Sequence, residues 1–171
     1  PPPPHPHTGA HRRRLQGDRL CRAAAAGPRR GARAVGDGGA ISIADGVLYL
    51  SSVQFHSNSS EDDGGAISLL SSSLIDEGSE YVQNTGTRGG AILLDVSDAD
   101  ISNSVFRENI AGSTGGALSL SAGNSFSLQK STFVDNTSLE KGGAVYLSTH
   151  NSPVSFLRNN IFQGNSSAQK G

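Results

Sequence analysis

The stretch GGALSLSAGNSFSLQKSTFVDNTSLEKGGAV, residues 115–145, contains the pattern that decides the fold. It opens with Gly-Gly-Ala-Leu, reaches Phe-Val-Asp-Asn at 133–136, and closes with Gly-Gly-Ala-Val at 142–145. The same two motifs, Gly-Gly-Ala-aliphatic and aromatic-x-x-Asn, alternate strictly from residue 38 to residue 165, and each occurs five times. The glycine pairs are 25–27 residues apart. A fixed period in this range is the signature of a repeat architecture.

Each motif places one residue type at the same point of every unit. The glycine pairs are Gly38 and Gly39, Gly64 and Gly65, Gly89 and Gly90, Gly115 and Gly116, and Gly142 and Gly143. The aromatic residues are Phe55, Tyr81, Phe106, Phe133 and Phe162. The asparagines are Asn58, Asn84, Asn109, Asn136 and Asn165.

The residues after each glycine pair alternate in type, as in AISIA at 40–44, where Ile41 and Ile43 share one face. A period of two indicates a strand with its branched side chains toward a core. A second strand-like run follows, and the aromatic residue lies in a third short strand, which leaves no room for a helix. Because the same strand recurs in the same orientation, we predict an all-β, parallel β-helix of about five coils of ~26 residues, with three short strands per coil.

Stacked coils assign a role to each repeated residue. The five aromatic rings are expected to form an internal stack, and the five asparagines a ladder in which each amide bonds to the next coil. Asparagine tolerates the left-handed backbone that a tight turn needs, so the ladder is also expected to close a turn. The glycine pairs are expected at a second corner, where a Cβ would clash.

Residues 1–37 form a separate region of low complexity, rich in Pro, Ala, Arg and Gly, with a formal charge of +6 against −7 for residues 38–171. Such a composition cannot bury enough surface to offset chain ordering, so we predict a disordered basic tail. Two alternatives stay open: an arm that binds polyanions through Arg12–Arg14 and Arg29–Arg33, and a short helix over Leu15–Ala26. At the other end, Lys170 and Gly171 resemble the start of another repeat, so we expect further coils beyond residues 38–171.

The paired motifs resemble the repeat of the polymorphic outer-membrane proteins, best known from chlamydial surface proteins. The resemblance covers residues 38–165, with Tyr81 replacing the usual phenylalanine. It implies a right-handed parallel β-helix of the pectin-lyase-like kind. In the best-known members this helix is an autotransporter passenger, displayed at the outer membrane and used in adhesion. The resemblance therefore implies a secreted or cell-surface location and structural roles for the repeated residues.

Other features of the sequence limit the kinds of structural and functional site that the chain can contain. One cysteine excludes an internal disulfide framework, and no apolar run reaches the ~18–20 residues of a membrane helix. The acidic run at residues 61–63 is typical of a solvated turn. Asp95, Asp98 and Asp100 alternate as calcium ligands do, but the EF-hand pattern is absent and no other coil repeats them. We predict no catalytic residues, no cofactor and no metal site beyond this calcium candidate.

Two surface features have competing interpretations. Asn58, Asn136 and Asn165 begin Asn-x-Ser/Thr sequons, yet a glycan there would break the predicted ladder, which favours the structural interpretation. A flat face of Ala and Ser on the first strand, including Ser42, Ser68 and Ser119, could meet a glycan or a protein strand. The charge of the repeat region disfavours nucleic acid as a partner.

We therefore predict a non-enzymatic display rod, adhesin-like, that binds glycans, cell-surface proteins or matrix. A structural spacer or wall component without a specific ligand is the alternative. A fragment of a polysaccharide-active β-helix enzyme is a further alternative, and it would require carboxylates that converge from adjacent coils.

Overall fold

The computed structural model describes residues 19–24, 29–30, 33–34, 36–121, 125–148 and 155–169, the first three segments as backbone only. Short strands follow one another along the chain, and each hydrogen-bonds in parallel with the strand one coil away. This arrangement is the predicted parallel β-solenoid. The predictions for residues 1–18, including Arg12–Arg14, and for Lys170 and Gly171 lie outside the described residues.

Five coils of four strands each follow three strands near the N-terminus. The N-terminal strands are β1 (Arg19–Ala24), β2 (Arg29–Arg30) and β3 (Arg33–Ala34). Coil 1 contains β4 (Ile41–Ala44), β5 (Gly46–Ser51), β6 (Gln54–His56) and β7 (Ser59–Ser60). Coil 2 contains β8 (Ile67–Leu70), β9 (Ser73–Glu77), β10 (Glu80–Val82) and β11 (Thr85–Gly86). Coil 3 contains β12 (Ile92–Asp95), β13 (Asp98–Ser102), β14 (Val105–Arg107) and β15 (Ile110–Ala111). Coil 4 contains β16 (Leu118–Ser121), β17 (Phe126–Gln129), β18 (Thr132–Val134) and β19 (Thr137–Ser138). Coil 5 contains β20 (Val145–Leu147), β21 (Ser155–Arg158), β22 (Ile161–Gln163) and β23 (Ser166–Ser167).

Corresponding strands form four parallel sheets along the axis. Sheet I joins β4, β8, β12, β16 and β20, and sheet II joins β1, β5, β9, β13, β17 and β21. Sheet III joins β2, β6, β10, β14, β18 and β22, and sheet IV joins β3, β7, β11, β15, β19 and β23. The prediction of three strands per coil was therefore one too few. The strands of sheet IV have two residues each, which is too short for an alternating pattern to show in the sequence.

The core is continuous along the axis because identical positions lie in register. Ile41 pairs with Ile67, Ile67 with Ile92, and Ile92 with Leu118, so the branched side chains of sheet I form one inward column. Aromatic residues fill the facing column of sheet III. The core is closed through coils 1–4 and opens at coil 5, where Phe162 is 47% exposed.

The strands within residues 19–34 were not predicted from the sequence. β1, β2 and β3 pair in parallel with β5, β6 and β7 of coil 1, so Arg29 lies in register with Phe55. A helix over Leu15–Ala26 is wrong for Arg19–Ala24, which form β1. The edge of coil 1 offers unpaired backbone groups, and these can order a strand whatever its side chains are. An apolar pattern is not needed there, so the sequence carries no signal for these strands.

The glycine pairs form a corner that a larger residue cannot enter. The first glycine of each pair has a positive φ, as at Gly89 (65°), and the second packs against the backbone of the next coil. A Cβ on Gly90 would contact the carbonyl oxygen of Gly116 and lie 2.7 Å from the backbone nitrogen and carbonyl carbon of Ile110. The second glycine is therefore required by the stacking of coils, and the first by the turn itself, since it has a positive φ and a Cβ on Gly89 would meet the carbonyl group of Ile92.

Replacing Gly90 with alanine should destabilise the protein by about 2–3 kcal/mol, because rigid backbone atoms on two sides must move. Urea unfolding of the variant and the wild type measures the difference. Gly112→Ala is the matched control, because the nearest atom beyond the two adjacent residues, the Cα of Thr87, would lie 3.7 Å from the added Cβ. The clash argument is wrong if the two variants lose the same stability.

Candidate functional site

The five aromatic rings lie in one column through sheet III. Successive ring centroids, from Phe55 through Tyr81, Phe106 and Phe133 to Phe162, are 5.0, 4.6, 4.6 and 4.9 Å apart. The planes are nearly parallel, with angles of 2–14°. Strand register holds the rings directly above one another, with more face-to-face overlap than free aromatic pairs prefer. The pairing of the strands therefore sets the geometry of the column.

The five asparagines form a continuous ladder next to the aromatic column. Asn84 shows the pattern: its Oδ1 accepts hydrogen bonds from the backbone N–H (3.0 Å) and the Nδ2 (2.9 Å) of Asn58. Its own Nδ2 donates to the carbonyl of Phe55 in the coil before and to Oδ1 of Asn109 in the coil after, both at 3.0 Å. The pattern repeats at Asn109 and Asn136. Asn165, in coil 5, accepts the two bonds from Asn136 and donates to the carbonyl of Phe133. Each buried amide is thus fully used in joining three coils.

The ladder occupies the atoms that a glycan would need. Asn58 and Asn136 are completely buried, and their Nδ2 atoms donate to the next asparagine at 2.9 and 2.8 Å. Asn165 is half-buried, and its Nδ2 donates to the carbonyl of Phe133. At Asn136, where both Nδ2 hydrogens are donated, an N-linked glycan would remove a hydrogen bond between coils.

The left-handed residue at this corner is the one before the asparagine. Positive φ values of 53–66° occur at Ser57, Gln83, Glu108, Asp135 and Gly164. The expectation that asparagine itself adopts this conformation is therefore wrong. The asparagine contributes its side chain, because the left-handed residue turns the following N–H out of the strand ladder, and the Oδ1 of the next coil accepts it instead.

Two further polar ladders, missed in the sequence, follow the same rule. Left-handed residues precede Ser79, Ser104 and Ser131, and each serine Oγ accepts the N–H of the corresponding residue one coil earlier, at 3.2 Å. At the preceding corner, between sheets I and II, Ser72 and Ser97 do the same for Gly46 and Ser72, at 3.1 and 3.0 Å. A serine about 26 residues from another serine is a weak signal in a serine-rich chain, which explains the omission.

The acidic run at residues 61–63 is engaged in a salt bridge. Arg88 Nη2 lies 2.6 Å from Asp63 Oδ2, and Arg88 Nε donates to Oδ1 at 3.1 Å. Hydrogen bonding to Asp63 raises the pKa of the Arg88 guanidinium, so this side chain is always charged. The carboxylate of Asp63 therefore serves the stacking of coils 2 and 3 at the turn before the glycine pair.

The carboxylates of the calcium candidates Asp95, Asp98 and Asp100 do not converge on one point, and those that form hydrogen bonds have different partners. Asp95 ends β12 and accepts a hydrogen bond from Ser121 Oγ at 2.6 Å. Asp98 Oδ1 accepts the N–H of Ser125 at 2.8 Å, and Asp100 lies exposed on the outward side of β13. Within the ranges that the structure describes, no group of three or more His, Cys, Asp or Glu side chains has metal-binding geometry.

The flat face predicted on sheet I is covered. Ser68, Leu93 and Ser119, the outward residues of its central strands, are buried. The first glycine of each pair folds back onto the residue four positions later, so that a Cβ on Gly142 would lie 2.9 Å from Tyr146 Cβ. This face is therefore closed to a partner in coils 2–4.

Outward positions on sheets III and IV are open and differ from coil to coil. In sheet III one outward column contains Gln54, Glu80, Val105, Thr132 and Ile161. Val105 and Ile110 are 36% and 48% exposed, and they pair in register with Thr132 and Thr137 of coil 4. We call these four residues the outer patch.

A comparison with models of protein families matches residues 130–148 to the Chlamydia polymorphic membrane protein repeat. The matched segment contains both motifs of one repeat, Phe133 to Asn136 and the glycine pair at 142–143. No curated protein and no solved structure matches the chain. Among the described residues, no helix combines the length and the apolar character that crossing a membrane requires.

Proposed function

We propose that this chain, whose residues 130–148 match the polymorphic membrane protein repeat and whose described coils form a parallel β-solenoid, is a surface-exposed, non-enzymatic display rod. Its outward residues bind a glycan, a cell-surface protein or matrix, as an adhesin does. The location is the cell surface or the extracellular space, associated with an outer membrane in organisms that have one.

One observation carries this proposal: the inward positions are constant along the axis, whereas the outward positions vary. The inward column of sheet III is aromatic in all five coils, and the asparagine column is unbroken. The outward column of the same sheet contains an amide, a carboxylate, two aliphatic side chains and a hydroxyl. Because the inward residues stabilise the solenoid, the outward residues can vary from coil to coil and are available for recognition.

Solenoid energetics support the same division. Each coil contacts its neighbours through ladders and inward columns, so stability is close to a sum over coils and their interfaces. Outward substitutions leave those interfaces intact. Many different outer surfaces are therefore compatible with one fold, which is the requirement for a displayed recognition region.

The outer patch is the best-supported contact region. Val105 and Ile110 are exposed aliphatic side chains from adjacent strands, and Thr132 and Thr137 place hydroxyls beside them in the next coil. Aliphatic surface with hydroxyls at its side suits both the apolar face of a sugar ring and a protein surface. The enzyme alternative has less support, because Asp63 is paired with Arg88 and the three aspartates of β12 and β13 do not converge.

Binding of the purified chain to a glycan array and to intact cells tests the proposal. We expect saturable binding, and the double variant V105K/I110K should lose about tenfold in affinity, or about 1.4 kcal/mol. Ser127→Lys, on the outward side of sheet II, is the matched control and should stay within about twofold. A folded chain that binds neither probe saturably would favour the structural spacer instead.

A further inference from the structure

Among the residues whose side chains the structure describes, a single carboxyl group lies buried inside the solenoid. Asp76 is in β9, and its strand register places it between Leu50 of β5 and Ile101 of β13 in an inward column of sheet II. The residue is 1% exposed. Neighbouring coils place leucine or isoleucine at this position, so a carboxyl replaces an aliphatic side chain at one level of the core.

The carboxyl joins two coils through one of its oxygens. Oδ2 accepts hydrogen bonds from the hydroxyl of Tyr81, at 3.1 Å, and from Ser104 Oγ, at 3.0 Å. Tyr81 belongs to coil 2 and Ser104 to coil 3. Oδ1 is buried and has no hydrogen-bond partner among the described residues. The tyrosine of the aromatic column is therefore hydrogen-bonded to the carboxyl of the sheet II column. These two side chains, each a departure from the repeat, lie in contact.

No positively charged side chain in the described part of the chain balances Asp76. The elements packed against it contribute Leu50, Ile101, Tyr81 and the hydroxyls of Ser79 and Ser104. Tyr81 is the other titratable group of the cluster, and burial raises its pKa well above 10, so it stays neutral. Burial likewise raises the pKa of Asp76 to about 6, with the three hydroxyls opposing part of the shift. An ionised carboxylate here would lack both solvent and a cation.

We propose that Asp76, with the hydroxyls of Tyr81 and Ser104, forms a proton-dependent lock between coils 2 and 3. The core accommodates the carboxyl while it carries a proton, and ionisation places in the core a buried charge that the hydroxyls offset only in part. The contribution of this lock to the stability of the rod is therefore largest in acid and falls as the carboxyl ionises. This inference concerns the interior, and it holds whether or not the outer patch binds a partner.

The direction of the effect follows from linkage. In the unfolded chain an aspartate titrates near 3.8, and in the folded chain the midpoint is about 6. The folded state therefore binds more protons between these values, and stability falls as the pH rises through this window. The stabilisation is complete below about pH 4 and lost above about pH 6. A displacement of about two pKa units corresponds to about a hundredfold change in the folding equilibrium constant.

Urea unfolding of the whole chain between pH 4 and pH 7.5 tests the lock. The wild type should lose up to about a hundredfold in folding equilibrium constant relative to Asp76→Asn, which keeps the shape of the side chain and cannot ionise. Asp100→Asn is the matched control, since Asp100 is exposed on the neighbouring strand, and it should follow the wild type. Equal pH dependence in Asp76→Asn and the wild type would overturn the proposal.

A second measurement does not depend on how any variant folds. Carbon-13 NMR of the aspartate carboxyls in the native wild type should show Asp76 titrating near pH 6, and a midpoint below about 4.5 would overturn the proposal. Tyr81→Phe keeps the ring stack and removes one hydrogen bond to the ionised form. It should move the Asp76 midpoint upward, whereas a purely structural tyrosine would leave the midpoint unchanged.

Discussion

Replacing Phe106 with alanine should destabilise the protein by about 3–5 kcal/mol, the range for removing a large aromatic side chain from a core. Phe106 is completely buried and stacks on Tyr81 and Phe133 with ring centroids 4.6 Å away on both sides. Removing its ring leaves a cavity that rigidly spaced strands cannot close, since their separation is set by backbone hydrogen bonds. Urea unfolding at pH 7 measures the loss.

Two controls separate stacking from the mere loss of side-chain volume. Val105→Ala changes the adjacent outward residue and should cost less than about 1 kcal/mol, as surface substitutions do. Phe162→Ala removes a ring that has a stacking neighbour on one side and is half exposed, so its cost should be clearly smaller than that of Phe106→Ala. A loss below about 1 kcal/mol for Phe106→Ala would contradict its place in the column.

Asn109→Asp is the second large effect, and we expect a loss of about 3–5 kcal/mol at pH 7. The new carboxylate keeps Oδ1, which accepts from the N–H and Nδ2 of Asn84. It loses the Nδ2 that donates to the carbonyl of Tyr81 and to Oδ1 of Asn136. A buried negative oxygen would then face two acceptor oxygens without a proton between them.

The same change at Asn103 is the matched control. Asn103 is exposed in the same coil and adopts a left-handed conformation that aspartate also tolerates, so Asn103→Asp should be close to neutral. The loss at Asn109 should also shrink in acid, where protonation removes the charge. Comparable losses at the two positions in urea unfolding would mean that the ladder amides do not join the coils.

These variants bear on how the rod resists unfolding. Each inward residue contacts one coil above and one below, so a defect in coil 3 weakens two interfaces and divides the array. Central positions should therefore matter more than equivalent positions in coil 5. The outer patch lies on coils 3 and 4, so a bound partner would contact coils that are stabilised by a neighbouring coil on each side.

The inward residues could be predicted from the sequence where they recur in every unit, and could not where they occur once or where the residue type is common throughout the chain. Phe106 and Asn109 recur in all five units, so stacking in register assigns them a common place. Ser104 also recurs, but serine is frequent in this chain, and its ladder becomes visible only when the left-handed residue before it is known. Asp76 occurs once: the repeat spacing aligns it with Leu50 and Ile101, but its hydrogen bonds to Tyr81 and Ser104 depend on side-chain geometry that no spacing gives.

The order of residues along the chain by itself determined the period, the parallel stacking of about five coils and the identity of the inward columns, because a regular coil must superimpose equivalent positions. Only the tertiary structure decided the fourth strand, the covered outer side of sheet I, the strands within residues 19–34 and the partners of Asp76. Those features depend on how far the chain turns at each corner and on which backbone groups of a neighbouring coil remain unpaired. Both are properties of coils in contact, and a single chain segment does not contain them.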